Sequence, residues 1–366
     1  MVKTFQTPTG AKEIFFAGTS KFNQNFSIEL ENLLADCFAS SNTKPVWMRF
    51  HLSDIANQAP VIYDLLKDNY RYTIVGQGPT NLAHIGLEAY WIEENSDNKI
   101  EKSISQFSST CQLKNYTLSY FAKDFTNEVG SFDETNAEFL YVKDYLAKNN
   151  ANMYNNLLRT WIYCRDIDNN YAGLVKARRE LFTKENLTAD THYIASTGIE
   201  ALSYPFNRLV TMDNFMLTGH KEEQVIYLKA LENLSPTAIY GVTFERATKV
   251  CYQDRACFFI SGTASIDKYG NILHLTDVVK QTYRAVENIA ALLEEGKGSI
   301  DNLVQLVVYV RDMADAPLVE KVLSQILPES LPRIMVKGPV CRPGWLVEIE
   351  GIALKEELNP NFAPFA

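Results

Sequence analysis

From Asp277 to Leu293 the apolar residues Val278, Val279, Tyr283, Val286, Ile289, Ala290 and Leu293 recur at helical spacing. Residues three and four apart share one helix face, so this stretch predicts an amphipathic helix that Asp277 can cap and Gly296 and Gly298 can stop. Upstream, Phe258–Ile260 is a short apolar run followed by a small-residue turn at Ser261–Ser265 and a polar tip at Asp267–Asn271, which predicts a β-hairpin. Downstream, Val304–Val310 reads as a strand, Ala316–Leu327 as a second helix, and Ile334–Val336 and Trp345–Ala353 as two more strands. The order ββαβαββ implies a sheet covered on one face by two helices.

The earlier part of the chain repeats this mixture. Glu13–Ala17, Val46–Phe50, Tyr72–Gly76, Ile85–Ile92, Gln112–Phe121 and Leu157–Tyr163 are strand-like, while Phe26–Cys37, Ala59–Asn69, Thr135–Asn149 and Tyr171–Phe182 are helix-like. The polar run Asn127–Glu134 reads as a loop. Strands, a helix, the strand RTWIY and a further helix follow one another much as they do in the C-terminal part, which suggests a divergent duplicate. The expected fold is therefore α+β with two units, residues 1–240 and 241–356, and a tail at 357–366.

Composition narrows the function classes. The chain has 366 residues, 46% apolar and 22% charged, with a net charge of −9, so it offers no basic surface for nucleic-acid phosphates. No stretch approaches the roughly 18 apolar residues of a membrane span, and Met1–Gly10 is polar, so a cytoplasmic protein without membrane contact is expected. Six cysteines lack paired or metal-ligand spacing, and five histidines are scattered, so neither disulfides, a metal nor a catalytic triad is expected.

The sequence SGTASI, then D-x-x-x-Q-x-x-x-x-x-x-N, a Gly-terminated helix, V-x-Y-V-R-D and LVEIEGIA together resemble the Rid/YjgF family, a chorismate-mutase-like α+β fold whose members form trimers with clefts between subunits. Farther upstream, IVGQGP, RTWIYCRDI, YAGLVKARRELF, YIASTGIEA and SPTAIYGVTFERAT resemble the chorismatases, in which an N-terminal Rid-like pseudo-domain is fused to a C-terminal Rid-like domain. That resemblance implies a cofactor-independent enzyme acting on chorismate or a similar small dicarboxylate. A homotrimer and a monomer satisfied by its internal duplication are both compatible with it.

Chorismate carries two carboxylates and an enol ether, so its site needs fixed cations and a proton donor. Arg159 in RTWIY and Arg178 in YAGLVKAR are the candidate clamps, with Arg179 open as an alternative, because a guanidinium holds a carboxylate through two parallel hydrogen bonds. The family has Phe-Asn ahead of this arginine, where this chain has Leu174-Val175-Lys176-Ala177. Glu348 and Glu350 share one face of the last strand, and the resemblance makes Glu348 the general acid/base. It also places Ala264 and Cys341 in the pocket, in the combination that resembles the hydrolysing branch, which gives pyruvate and a dihydroxycyclohexadiene carboxylate; a bulkier amide with Gly belongs to the branch that makes 3-hydroxybenzoate. Tyr193, Tyr227 and Tyr240 are further pocket candidates, since a phenol can bond a carboxylate while its face packs on a ring. Thr197-Gly198 is expected to mark a close backbone approach beside the cleft. The competing Rid-type enamine or imine deaminase needs an arginine two residues after Pro332, where Ile334 stands; Arg333 is one residue early. A catalytically silent ligand-binding protein is the remaining alternative.

Overall fold

The computed structural model describes residues 1–8, 10–23, 25–94, 99–123 and 129–366, so residues 127 and 128 of the loop expected at Asn127–Glu134 lie outside it. The first unit runs β1 (Val2–Phe5), β2 (Lys12–Thr19), α1 (Phe26–Phe38), β3 (Trp47–Leu52), α2 (Ile55–Leu66), β4 (Tyr72–Val75) and β5 (Ile85–Glu93). A second follows with β6 (Glu101–Ile104), β7 (Ser108–Gln112), β8 (Thr117–Ala122), α3 (Ser131–Lys148), α4 (Met153–Asn156), β9 (Leu157–Cys164), α5 (Ile167–Lys184), β10 (Ala195–Glu200) and β11 (Val210–Thr218). The third comprises β12 (Val225–Leu228), β13 (Ala247–Cys251), β14 (Arg255–Ala264), α6 (Val278–Glu295), β15 (Leu303–Val310), α7 (Ala316–Ile326), β16 (Arg333–Lys337) and β17 (Val347–Glu356).

The fold is α+β, with each sheet covered by helices, and the stretch 1–240 expected as one unit carries two sheets. Their strand orders are β1-β2-β5-β3-β4, β10-β9-β11-β8-β7-β6 and β12-β13-β14-β17-β15-β16. Setting aside the edge strands β6 and β12, each sheet places its strands in the order first, second, last, third, fourth. In each the third and fourth strands are parallel, joined across a helix. The repeat in the chain is therefore threefold. Sequence periodicity missed the middle copy because its opening strands are short and polar, as in SSTCQ of β7.

Alternation along the strands explains the layering. In the first sheet Ile14, Phe16, Met48, Phe50, Leu87 and Ala89 pack under α1 and α2. The intervening Phe15, Trp47 and Tyr90 join the core shared by all three units. Bridges Gly76–Leu202, Ala195–Glu245, Ile199–Val340 and Pro79–Val336 stitch neighbouring units together.

Two local expectations are corrected. Ser261–Ala264 is not a turn but the end of β14, with its register shifted between Ile260 and Thr263, and the tight turn lies at Asp267–Asn271. Helix α2 begins at Ile55 rather than Ala59, because Asp54 caps it by accepting from the Asn57 amide; Pro60 sits inside.

Candidate active site

The strand pairings put equivalent residues of the three sheets in layers around one axis. His51 pairs with Gly86, Tyr163 with Thr211, and Tyr309 with Glu348. One layer on, Arg49 pairs with Glu88, Trp161 with Asp213, and Val307 with Glu350. Glu350 thus has a carboxylate counterpart in every unit, whereas Glu348 corresponds to a glycine and a threonine.

The three carboxylates Glu88, Asp213 and Glu350 are buried around Arg49, whose guanidinium nitrogens lie 3.2, 3.5 and 3.8 Å from them. Arg71 donates to Asp213 at 2.7 Å and Arg159 to Glu350 at 2.5 Å, while His51 Nε2 lies 3.0 Å from Glu88. Thr73 and Thr197 hold the equivalent register positions on β4 and β10; their hydroxyls donate to Asp213 and Glu350. Trp47, Trp161 and Tyr163 flank Arg49 with ring centroids 5.4, 5.0 and 5.7 Å from its guanidinium carbon. Three arginines face three carboxylates.

Glu348 projects into a cavity between the second and third units that encloses about 450 Å³ of empty space, its mouth included. Arg178 and Tyr171 enter from α5, seven residues apart and so on one helix face. Arg246, Phe244 and Tyr240 come from the segment leading into β13, and Ala264 from β14; Cys341 and Trp345 close the far side. Gly262 is the close backbone approach, since a Cβ there would lie 2.2 Å from Glu348 Oε1. Gly198 is not: a Cβ there would meet Tyr171 at an ordinary 3.6 Å.

The electrostatics of this cavity differ from those of the axis. Arg178 is 2% and Arg246 4% exposed, yet among the described residues neither has a carboxylate within ion-pair distance. Arg178 donates through Nε to Thr243 at 3.1 Å, and its Nη2 has no hydrogen-bond partner among the described residues. Burial pulls Arg178 below its ordinary value, but a guanidinium stays charged at neutral pH. Arg246 is fixed by the Ser235 carbonyl at 2.9 Å and lies between Tyr240 and Phe244, both 5.3 Å away. Burial, and then the Glu350 carboxylate, push Glu348 up to about 8, against the smaller pull of Arg159 and Arg246. At pH 7 the cavity therefore holds two fixed cations and a protonated carboxyl. Cys341 is pushed up to about 12 by burial and by Glu348, so it contributes shape as a neutral thiol.

The structure gathers Glu348, Arg178, Ala264, Cys341 and Tyr240 in one cavity and leaves four candidates elsewhere. Arg159 belongs to the axis, because its position on β9 points toward Glu350. Tyr227 is stacked on His192 at 4.0 Å with its hydroxyl 3.2 Å from the ring nitrogen. Tyr193 packs beside Phe182 and donates its amide to Glu245. Arg179 points outward to the Gly241 carbonyl. Sequence reading missed Arg246 and Tyr171. The spacing of Tyr171 from Arg178 was a usable signal; Arg246 lies in an irregular segment with no period to betray its direction.

A larger open groove lies between the third and first units, lined by Phe16, Thr19, Asn81, Glu320 and Arg333. It is the counterpart of the cavity, but Gly86 occupies the Glu348 position and Arg333 is paired with Glu320 at 2.7 Å. Among the described residues no cluster of His, Cys, Asp and Glu could hold a metal, the cysteines are free, and no helix is long and apolar enough to cross a membrane.

These features define an α+β protein of three like units with a polar cavity between the second and third. Residues 247–355 match the family described as Endoribonuclease L-PSP. The third unit is 35% identical over 99 residues to a RutC family protein of Pyrococcus abyssi, covering 27% of this chain and 78% of that protein. It is 29% identical over 96 residues to the 3-aminoacrylate deaminase RutC of Acinetobacter baylyi, covering 26% and 76%. The chain belongs, through this unit, to the RutC family. Over its whole length it shares the fold of a chorismatase crystal structure, with a TM-score of 0.66, 18% identity, and coverage of 93% of this chain and 98% of that one.

Proposed function

We propose that the protein is a cofactor-independent chorismatase whose cavity between the second and third units binds chorismate. The reading is carried by one observation: among the described residues Arg178 and Arg246 are buried without carboxylate partners in the same cavity as Glu348, whose carboxyl burial pushes up to about 8. Burying a cation without a counter-ion costs several kcal/mol, and a dianionic ligand offsets that cost on binding. Tyr171 and Tyr240 supply ring faces and hydroxyls for the cyclohexadiene.

In this reading Glu348 gives its proton to the enol-ether methylene carbon, leaving a cation at the ether carbon. Water adds there and returns a proton to the Glu348 carboxylate. The hemiketal then breaks its bond to the ring oxygen, giving pyruvate and a dihydroxycyclohexadiene carboxylate. Chorismate and one water balance the products, and no redox partner is required.

The 3-aminoacrylate deaminase among the relatives supports a second reading, since an enamine is also protonated at carbon. Against it, Arg333 is bonded to Glu320 and Ser324 in the other groove. Incubation with chorismate, following pyruvate release, tests the proposal: turnover abolished by Glu348→Gln is expected, and no turnover by the wild-type protein would overturn it.

A further inference from the structure

Glu350 stands beside the acid on the same face of β17, and its other neighbours make it part of the axis. Arg159 Nη2 and the Thr197 hydroxyl both donate to its Oε2, and Tyr309 donates to Oε1 at 2.9 Å. Thr197 reaches the cavity wall as well, because its Oγ1 also accepts the Gly262 amide at 2.9 Å. Gly262 is the residue whose missing Cβ makes room for Glu348. A continuous set of contacts thus joins the ionic axis to the acid: Arg159 and Tyr309 to Glu350, Glu350 to Thr197, Thr197 to Gly262, and Gly262 against Glu348. In the second unit Asp213 has the same partners in kind, Arg71 and Thr73, but Thr211 stands where Glu348 would be. The paired carboxylate is common to the sheets; in the third a second carboxyl stands two residues before it on the same strand face, where the others have Gly86 and Thr211.

We propose that Glu350 is a positioning residue with two roles, closing the axis and, as a fixed anion, holding the proton on Glu348. This rests on the reading of Glu348 as the acid. Arg159, Thr197 and Tyr309 fix the Glu350 carboxylate in place, and a second charge one pleat away on the same strand face is disfavoured. Of the other charged groups, Arg159 across the Thr197 contact and Arg246 across the cavity favour the carboxylate, and Arg178 lines the same cavity. Tyr171, Tyr240 and Cys341 complete the titratable lining, and burial keeps each neutral at physiological pH. Glu350 opposes these cations, and without it the acid would reach neutral pH deprotonated more often.

The test is the titration of Glu348 in the full chain without substrate, read by NMR of carboxyl-labelled glutamate and assigned by the signal lost in Glu348→Gln. In Glu350→Gln the Glu348 titration is expected to move to lower pH by about one pH unit or more, since both the removed anion and the freed Arg159 act in that direction. The double variant Arg159→Met with Glu350→Gln removes both charges and avoids a buried unpaired guanidinium, so it serves where the single variant does not fold. There the shift keeps its direction but is smaller. An unchanged or upward-moved titration in the folded variants overturns the proposal and leaves Glu350 a structural residue only. Because no substrate is used, absence of chorismate turnover would defeat the functional reading separately.

Discussion

The axis and the cavity bury the same kind of side chain to opposite ends. On the axis Arg49, Arg71 and Arg159 meet Glu88, Asp213 and Glu350, and every charge has an opposite within ion-pair range. In the cavity Arg178 and Arg246 have hydroxyls, a carbonyl and aromatic faces for company, but no carboxylate partner among the described residues. Satisfied charge at a threefold seam orients three sheets against one another, whereas unsatisfied charge costs stability and is tolerated where a ligand repays it. The two regions are nonetheless close, since adjacent residues of one strand face, Glu348 and Glu350, serve one each.

The sharpest way to break this comparison is to unpair the axis. Arg49→Met leaves Glu88, Asp213 and Glu350 in mutual repulsion, and removing one member of a buried ionic set typically costs about 3–5 kcal/mol. That is a large part of the roughly 5–15 kcal/mol by which proteins are stable, so denaturant unfolding should show a severely destabilised chain. Arg178→Met is expected to do the reverse: no loss of stability, or a gain, with chorismate KM raised at least about tenfold, as one charge-assisted contact of roughly 1.5–3 kcal/mol is lost. If both substitutions destabilise alike, the distinction fails.

Glu348→Gln should lower chorismate turnover by about 10²–10⁴-fold, the usual contribution of a general acid, with the fold intact. Its stability should also depend on pH in a defined way. Glu348 keeps its proton to about 8, against an ordinary 4.5, so between these values the unfolded chain binds fewer protons than the folded one. Stability contributed at this site therefore falls as pH rises through that window. The melting temperature of Glu348→Gln relative to the wild-type protein should accordingly climb from pH 5 to pH 8, and a flat difference would argue against a buried, proton-retaining acid.

How much of this was legible in the sequence depended on periodicity. Helix α6 was readable because its buried face follows a 3.6-residue period, and strands β15 and β17 because they are short, mostly apolar runs buried along nearly their whole length. Alternation also put Glu348 and Glu350 on one face, yet it could not separate their roles, which depend on what two other sheets bring to the axis. Arg159 looked like a clamp for the same reason: a strand pattern gives the face of an arginine but not the partner across the seam. Arg178 was readable from a helix face, and Tyr171 should have been. Arg246 was not, because Ser235, Tyr240 and Phe244 position it from a segment without regular structure apart from one 3₁₀ turn.

The smallest expected effect concerns the product. Cys341 and Ala264 both line the cavity with Glu348, and the thiol, neutral up to about 12, acts by its volume. Hydrolysis needs water at the ether carbon, and these two small side chains leave room for it, so pyruvate with the dihydroxycyclohexadiene carboxylate should predominate over 3-hydroxybenzoate. Cys341→Asn with Ala264→Gly fills the space on one side with an amide and opens it on the other, which lets the ring settle differently and excludes the water. A change of about 1.4 kcal/mol between competing transition states alters a product ratio tenfold. Chromatography of products from chorismate should therefore show 3-hydroxybenzoate rising by about that factor, with total turnover falling far less than in Glu348→Gln. An unchanged ratio would mean that Tyr240, Trp345 or the backbone at Gly262 controls the water, and that shape at Cys341 and Ala264 does not choose the product.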